Sequence, residues 1–183
     1  MILLYLSCSL VAIVVVFFCR EFMATRTKDE IKTVSTEKKS PIIMAYIMPK
    51  EGSFNGYDLL QVLTICDLRY DATSQIFHKY NSDETILFSL ACASEPGIFD
   101  MSELGARAYD GVVLFLEIDS VAKFARSAVE QFIDTSNHMA EELNAKIINS
   151  RKEIIGDDER SLWRAIADNK SQQFGTLDMF GGV

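Results

Sequence analysis

The side chains able to do chemistry are few and far apart. His78 and His138 are the only histidines in 183 residues. Neither has a cysteine or carboxylate at metal-ligand or triad spacing, so they read as a sheet-surface and a helix-surface residue. Cys8 and Cys19 lie in an apolar N-terminal run, and Cys66 and Cys92 sit inside predicted elements without basic neighbours to lower their pKa. They suggest neither a disulfide framework nor a zinc site. Asp157-Asp158-Glu159 would attract a cation, but the positive end of a following helix explains these carboxylates better. The sequence contains no Walker loop, no dinucleotide fingerprint and no G-x-S-x-G elbow. Catalytic residues, cofactors, metals and a small-molecule substrate are therefore not expected, and function must be sought in surfaces.

One surface stands out. Gly111–Ile118 reads GVVLFLEI. As a strand it points Val112, Leu114, Leu116 and Ile118 to one face and Val113, Phe115 and Glu117 to the other. The second face of an antiparallel sheet is usually wet and polar. Here only Glu117 obeys that rule. Either a second layer of the same protein covers this face, or it is the floor of a peptide groove.

The elements that would position this strand follow from the rest of the chain. Ile42–Met48 is a short apolar run and a first strand, ended by Pro49. Asn55-Gly56 is a turn signal, and Asn55 caps a helix carrying Leu59, Leu60, Leu63 and Cys66 on one face. Ser74–Tyr80 and Ile86–Ala93 form a hairpin through Asn81-Ser82-Asp83. Glu95-Pro96-Gly97 is a turn, after which Phe99 returns to the core. Val121–Leu143 is the longest helix, with Val121, Phe124, Ala128, Phe132, Met139 and Leu143 on one stripe. Lys146–Asn149 and Glu153–Ile155 are two short closing strands. A last helix, capped by Asp157 or Asp158, carries Leu162, Ala165 and Ile166 with Trp163 beside them. Residues 171–183 read as a loose, disordered tail. Three helices with one apolar stripe each can cover one sheet face but not both. The expected fold is α+β: a two-layer sandwich of a mainly antiparallel sheet with about three helices on one face, of split β-α-β type, leaving the other face open.

What precedes this domain has a different character. Ile2–Cys19 holds eighteen residues without charge, Pro or Gly, enough for a helix of roughly 27 Å, close to the hydrocarbon thickness. No Lys or Arg precedes the run, and bulky Val16, Phe17 and Phe18 precede Cys19. That pattern predicts an uncleaved anchor over 1–19 rather than a signal peptide. Arg20, Arg26, Lys28 and Lys32 all follow it, which places the C-terminal side in the cytoplasm and the N-terminus outside. Residues 20–40 form a polar tether with six basic and four acidic residues. Residues 40–183 carry 12 Lys and Arg against 22 Asp and Glu, a net charge of −10. That balance argues against a nucleic-acid partner and leaves a basic peptide open.

Several local patterns occur together in a particular order: Ile42-Ile43-Met44, Asn55-Gly56 with Leu59-Leu60, Ile76-Phe77-His78, Leu87-Phe88-Ser89-Leu90-Ala91, Pro96-Gly97 with Phe99-Asp100, and Gly111-Val112 with Phe115. With the anchor and its orientation, they resemble the ZipA family of bacterial cell-division proteins, whose C-terminal domain is matched from about Pro41 to Ile166. The resemblance implies a domain over 41–170 that binds the C-terminal tail peptide of FtsZ in an apolar groove on the open sheet face. It thereby implies tethering of FtsZ to the inner membrane at the division site. Carried over by position, Val113, Phe115 and Glu117, with Ala91 and Ala93, fall on groove positions. Alternation adds Ser89, Ile43 and Ala45, and Ser74 and Ile76 come from the neighbouring strand. Glu117 stands where a neutral amide is familiar in the family, and the family's long Pro- and Gln-rich linker is replaced by the short 20–40 tether. The other readings are a membrane-tethered adaptor for a different peptide and a membrane-anchored enzyme.

Overall fold

A computed structural model describes residues 40–180, with side chains as far as Phe174. The expected anchor over 1–19 and nearly all of the tether lie outside these residues. Among the described residues no helix is long and apolar enough to cross a membrane.

The described residues form eight strands and three α-helices: β1 (Ile42–Pro49), β2 (Phe54–Asn55), α1 (Gly56–Ile65), β3 (Arg69–Asp71), β4 (Ile76–Tyr80), β5 (Ile86–Cys92), β6 (Ala108–Tyr109), β7 (Val112–Glu117), α2 (Ala125–Glu142), β8 (Ala145–Ile148) and α3 (Asp157–Phe180). Six strands make one sheet in the order β3-β4-β5-β7-β1-β8, and every pairing in it is antiparallel. The fold is α+β, as the element order implied. β2 and β6 form a separate two-stranded ribbon. The polar segments holding β3 and β6 gave no period-two signal, and both are only two or three residues long.

β7 lies between β5 and β1 near the middle of the sheet. Val112, Leu114, Leu116 and Ile118 are fully buried, whereas Val113 and Phe115 are half-buried and Glu117 is exposed. The alternation read from the sequence is therefore the alternation observed. The buried side is covered by α1 and α2. Asn55 caps α1, its side chain accepting a hydrogen bond from the Tyr57 N–H at 2.9 Å. Gly56 follows the cap because its backbone crosses two others closely: its N–H donates to the Arg107 carbonyl at 2.8 Å, and a Cβ there would strike the carbonyls of Leu104 and Arg107. In α1, Leu59, Val62 and Leu63 are buried. In α2, Ala128, Phe132 and Met139 of the expected stripe are completely buried.

Aromatic rings join the layers. Phe88 of β5 meets Phe132 of α2 edge-on at 5.5 Å between centroids, and Phe132 meets Trp163 of α3 in the same way at 5.6 Å. Ion pairs flank this column, with Arg164 Nε 2.9 Å from Glu130 Oε1 and Arg126 Nη1 2.7 Å from Asp168 Oδ1. α3 thus rests on α2 through Trp163 and Ala167, both buried, while Leu162 is 58% exposed and Ala165 is also exposed. The expectation that Leu162 and Ala165 face inward is corrected: the indole, the largest apolar group in the helix, sets its rotation. Of the expected loose tail over 171–183, the part up to Phe180 continues α3, and residues 181–183 lie outside the described residues.

This rotation has a measurable consequence. Trp163→Ala is expected to cost about 3–5 kcal/mol in urea unfolding, because it empties a packed site. Leu162→Ala should stay within about 0.5 kcal/mol. Comparable losses from the two would contradict the assigned face.

Candidate functional site: the uncovered sheet face

The face of the sheet away from α1 and α2 is built in rows set by strand register. Phe115 lies opposite Ser89 of β5 on one side and Met44 of β1 on the other. Ser89 lies opposite His78 of β4, and His78 opposite Arg69 of β3. The next row runs from Val113 to Ala91 and to Tyr46, and Tyr46 lies opposite Ile148 of β8. Continuing the β4–β5 register sets Ile76 across from Ala91. Glu117 and the exposed Ile42 begin a third row. Val113, Phe115, Ala91, Ile76, Met44, Tyr46 and Ile148 are all half-buried, which makes an apolar floor that the described residues leave partly wet.

Of the residues singled out in the sequence, Val113, Phe115, Glu117, Ser89, Ala91 and Ile76 come together on this face. Ala93 lies just past the end of β5 and stays half-buried, its N–H donating to the Gly111 carbonyl at 3.0 Å. Ser74 is exposed in the turn before β4 rather than in the strand. Ile43 and Ala45 do not belong to the face. They are 3% and 0% exposed and point into the core with Ile47. Every residue from Ile42 to Met48 is apolar, so alternation alone could not give the phase of β1. Pairing of Met44 with Phe115 does. Met44 and Tyr46 are thus the residues that sequence reasoning missed, and the signal that finds them is the register with β7.

His78 was also missed as part of this face, although it alternates with Ile76. It is 8% exposed, and its Nδ1 lies 2.8 Å from Ser89 Oγ, itself on a residue 6% exposed. His78 Nε2 lies 3.3 Å from Ser74 Oγ and 3.9 Å from Asp71 Oδ2. The Ser74 hydroxyl donates to Asp71 Oδ2 at 2.6 Å, and the backbone N–H groups of Thr73 and Ser74 donate to the same carboxylate at 3.1 and 3.0 Å. Those bonds hold the Asp71 carboxyl down at about 2, the Ser74 hydroxyl bond contributing most. Burial holds the His78 imidazole below its ordinary value, opposed by the charge of Asp71. Arg69 pairs with Glu84 at 3.2 Å and lies over the Tyr80 ring at 5.5 Å, giving the β3 end of the face a charged rim. The arrangement suits recognition of an apolar segment. Ser89 is not set up as a nucleophile, because the strands flanking it are engaged in the sheet and leave no pair of free N–H groups for an oxyanion. The Cys66 thiol, away on the helical side, is pushed up by burial and reads as a packing group.

The depressed Asp71 carboxyl fixes a sign. A carboxylate that titrates at about 2 when folded and at about 3.9 when unfolded stabilises the fold above the unfolded value, and that contribution disappears as pH falls between the two. Asp71→Asn should therefore lose less stability than the wild type on acidification from about pH 4 to about pH 2. Equal acid sensitivity in parallel thermal melts would show that the carboxylate is not held this way.

Comparison with known proteins places this geometry. Residues 41–165 match the model of the ZipA C-terminal FtsZ-binding domain. A cell division protein ZipA of Haemophilus ducreyi is 29% identical over 138 residues, covering 73% of this chain and 40% of that protein. Its counterpart in Glaesserella parasuis is 25% identical over 135 residues, covering 72% of this chain and 49% of its own length. That of Colwellia psychrerythraea is 28% identical over 117 residues, or 62% and 30%. The chain thus spans less than half the length of these curated relatives. The family match takes in the whole uncovered face from Met44 to Ile148, and on it the chain belongs to the ZipA family, through its C-terminal FtsZ-binding domain.

Proposed function

We propose that this protein is an adaptor that binds the C-terminal tail peptide of FtsZ on the uncovered sheet face and, through residues 1–19, holds FtsZ filaments at the inner membrane at the division site. The observation that carries this reading is the apolar row on the side of the sheet opposite α1 and α2: Phe115 and Val113 at the centre, flanked by Ala91, Ile76, Met44 and Tyr46. Large apolar side chains left half wet on a sheet of this kind are an interaction surface rather than an incomplete core. The proposed groove keeps Val113, Phe115, Glu117, Ser89, Ala91 and Ile76 of the residues named from the sequence, takes Met44 and Tyr46 in place of the buried Ile43 and Ala45, and has Ser74 and Ala93 at its margins.

The mechanism is binding. A fully buried large apolar side chain of the peptide contributes about 1.5–3 kcal/mol. Ordering a flexible tail offsets much of this, so a single site is expected to bind with micromolar affinity. Many FtsZ subunits in a filament, each meeting an anchored domain, convert weak single contacts into firm attachment. The short 20–40 tether would keep the domain within roughly 70 Å of the bilayer even when fully extended. Glu117, at one end of the β7 row, would select a basic residue in the peptide.

Titration of residues 41–183 with a synthetic FtsZ tail peptide from the same organism tests this. Phe115→Ala is expected to weaken binding at least tenfold while leaving the far-ultraviolet circular dichroism unchanged. Met44→Ala should weaken it several-fold. Unaltered affinity in both variants would exclude this face as the site. Glu117→Lys should selectively lose peptides with a nearby basic residue. An equal loss with a peptide lacking that residue would refute the charge argument.

A further inference from the structure

The polar groups in the floor of the uncovered face are joined in one chain, and the chain admits only one order of protons. Ser74 spends its single hydroxyl proton on Asp71 Oδ2, at 2.6 Å. Its oxygen, 3.3 Å from His78 Nε2, can then only accept, so Nε2 carries the imidazole proton when His78 is neutral. Nδ1 is then a bare acceptor, and the Ser89 hydroxyl, 2.8 Å away, must donate to it. In this state Ser89 turns its proton away from the ligand side and towards the imidazole. A second proton on the imidazole reverses the last link. Nδ1–H then donates to Ser89 Oγ, and the Ser89 hydroxyl proton must turn elsewhere.

We propose that the Asp71–Ser74–His78–Ser89 chain makes ligand binding on this face sensitive to pH, the face being in its binding form when His78 is neutral. The proposal rests on the reading of this face as the peptide site. A ligand seated on Phe115 and Ala91 also covers Ser89 and the imidazole behind it. Covering an imidazolium costs desolvation that covering a neutral ring does not. Binding therefore favours the neutral ring, and acidification weakens binding. The charged groups around the ring do not cancel this. Asp71 from β3 faces Nε2 at 3.9 Å but is already engaged by three hydrogen bonds from residues 73 and 74. Arg69, opposite His78 on β3, is paired with Glu84. Tyr80 presents its ring edge-on at 6.0 Å. Ser89 and Ala91 of β5 are uncharged, and Lys79 turns to the other side of the sheet, its Nζ donating to the Cys66 carbonyl at 2.8 Å. Burial of the free imidazole already works in the same direction.

The test uses the full chain in detergent micelles and the synthetic FtsZ tail peptide, with affinity measured at pH 7.5 and 5.5. Only two histidines are present, so the His78 imidazole can also be titrated by nuclear magnetic resonance with and without saturating peptide. The expected results are an affinity about threefold weaker at the lower pH, and a His78 midpoint lower by about one unit when peptide is bound. His78→Gln should remove the difference in affinity between the two pH values, and Ser89→Ala should reduce it. Binding whose pH dependence is the same in wild type and His78→Gln, or a His78 midpoint that peptide leaves unmoved, would overturn the proton link while leaving the peptide site standing. Absence of binding at both pH values would overturn the site and the proton link together.

Discussion

The structure depends on helices covering only one side of β7. Its Val112, Leu114, Leu116 and Ile118 are sealed beneath α1 and α2, and its Val113 and Phe115 emerge on the side where these helices do not pack. The central strand of a sheet must satisfy both neighbours in register, so its alternation is imposed on β5 and β1 alike. One strand thereby fixes the phase of the core and the composition of the opposite face. The column Phe88, Phe132 and Trp163 then ties sheet, α2 and α3 together on the covered side. It packs the side of the sheet opposite the proposed peptide face.

Much of this was legible in the sequence where a single element carried its own period. The two faces of Gly111–Ile118, the stripe on α2 and the Asn55 cap needed no partner to be read. Legibility failed where a partner decides. An all-apolar run such as Ile42–Met48 has no internal phase, and only pairing of Met44 with Phe115 turns Ile43 and Ala45 inward. The rotation of α3 is likewise set by where Trp163 finds Phe132, not by the spacing of Leu162 and Ala165. His78 looked like an ordinary surface residue because its partners, Ser74 and Ser89, come from a turn and from another strand.

The same contrast separates what the face is from what it binds. Its apolar rows and polar chain follow from register and hydrogen bonding. Its proposed partner enters through membership of the ZipA family. Electrostatics connects the two. Residues 40–183 carry a net charge of −10, and Glu117 lies beside the apolar rows, so an apolar segment flanked by a basic residue fits better than an acidic one. Weak, reversible attachment repeated along a filament suits a surface that is shallow and only half dry.

The most direct measurement is a map of backbone amide shifts in labelled 41–183 as the FtsZ tail peptide is added. Saturable shifts are expected to concentrate on Val113, Phe115, Ala91, Ser89, Met44 and Tyr46, with the amides of α1 and α3 nearly still. Shifts centred on the helical side, with β7 unmoved, would contradict the proposed site.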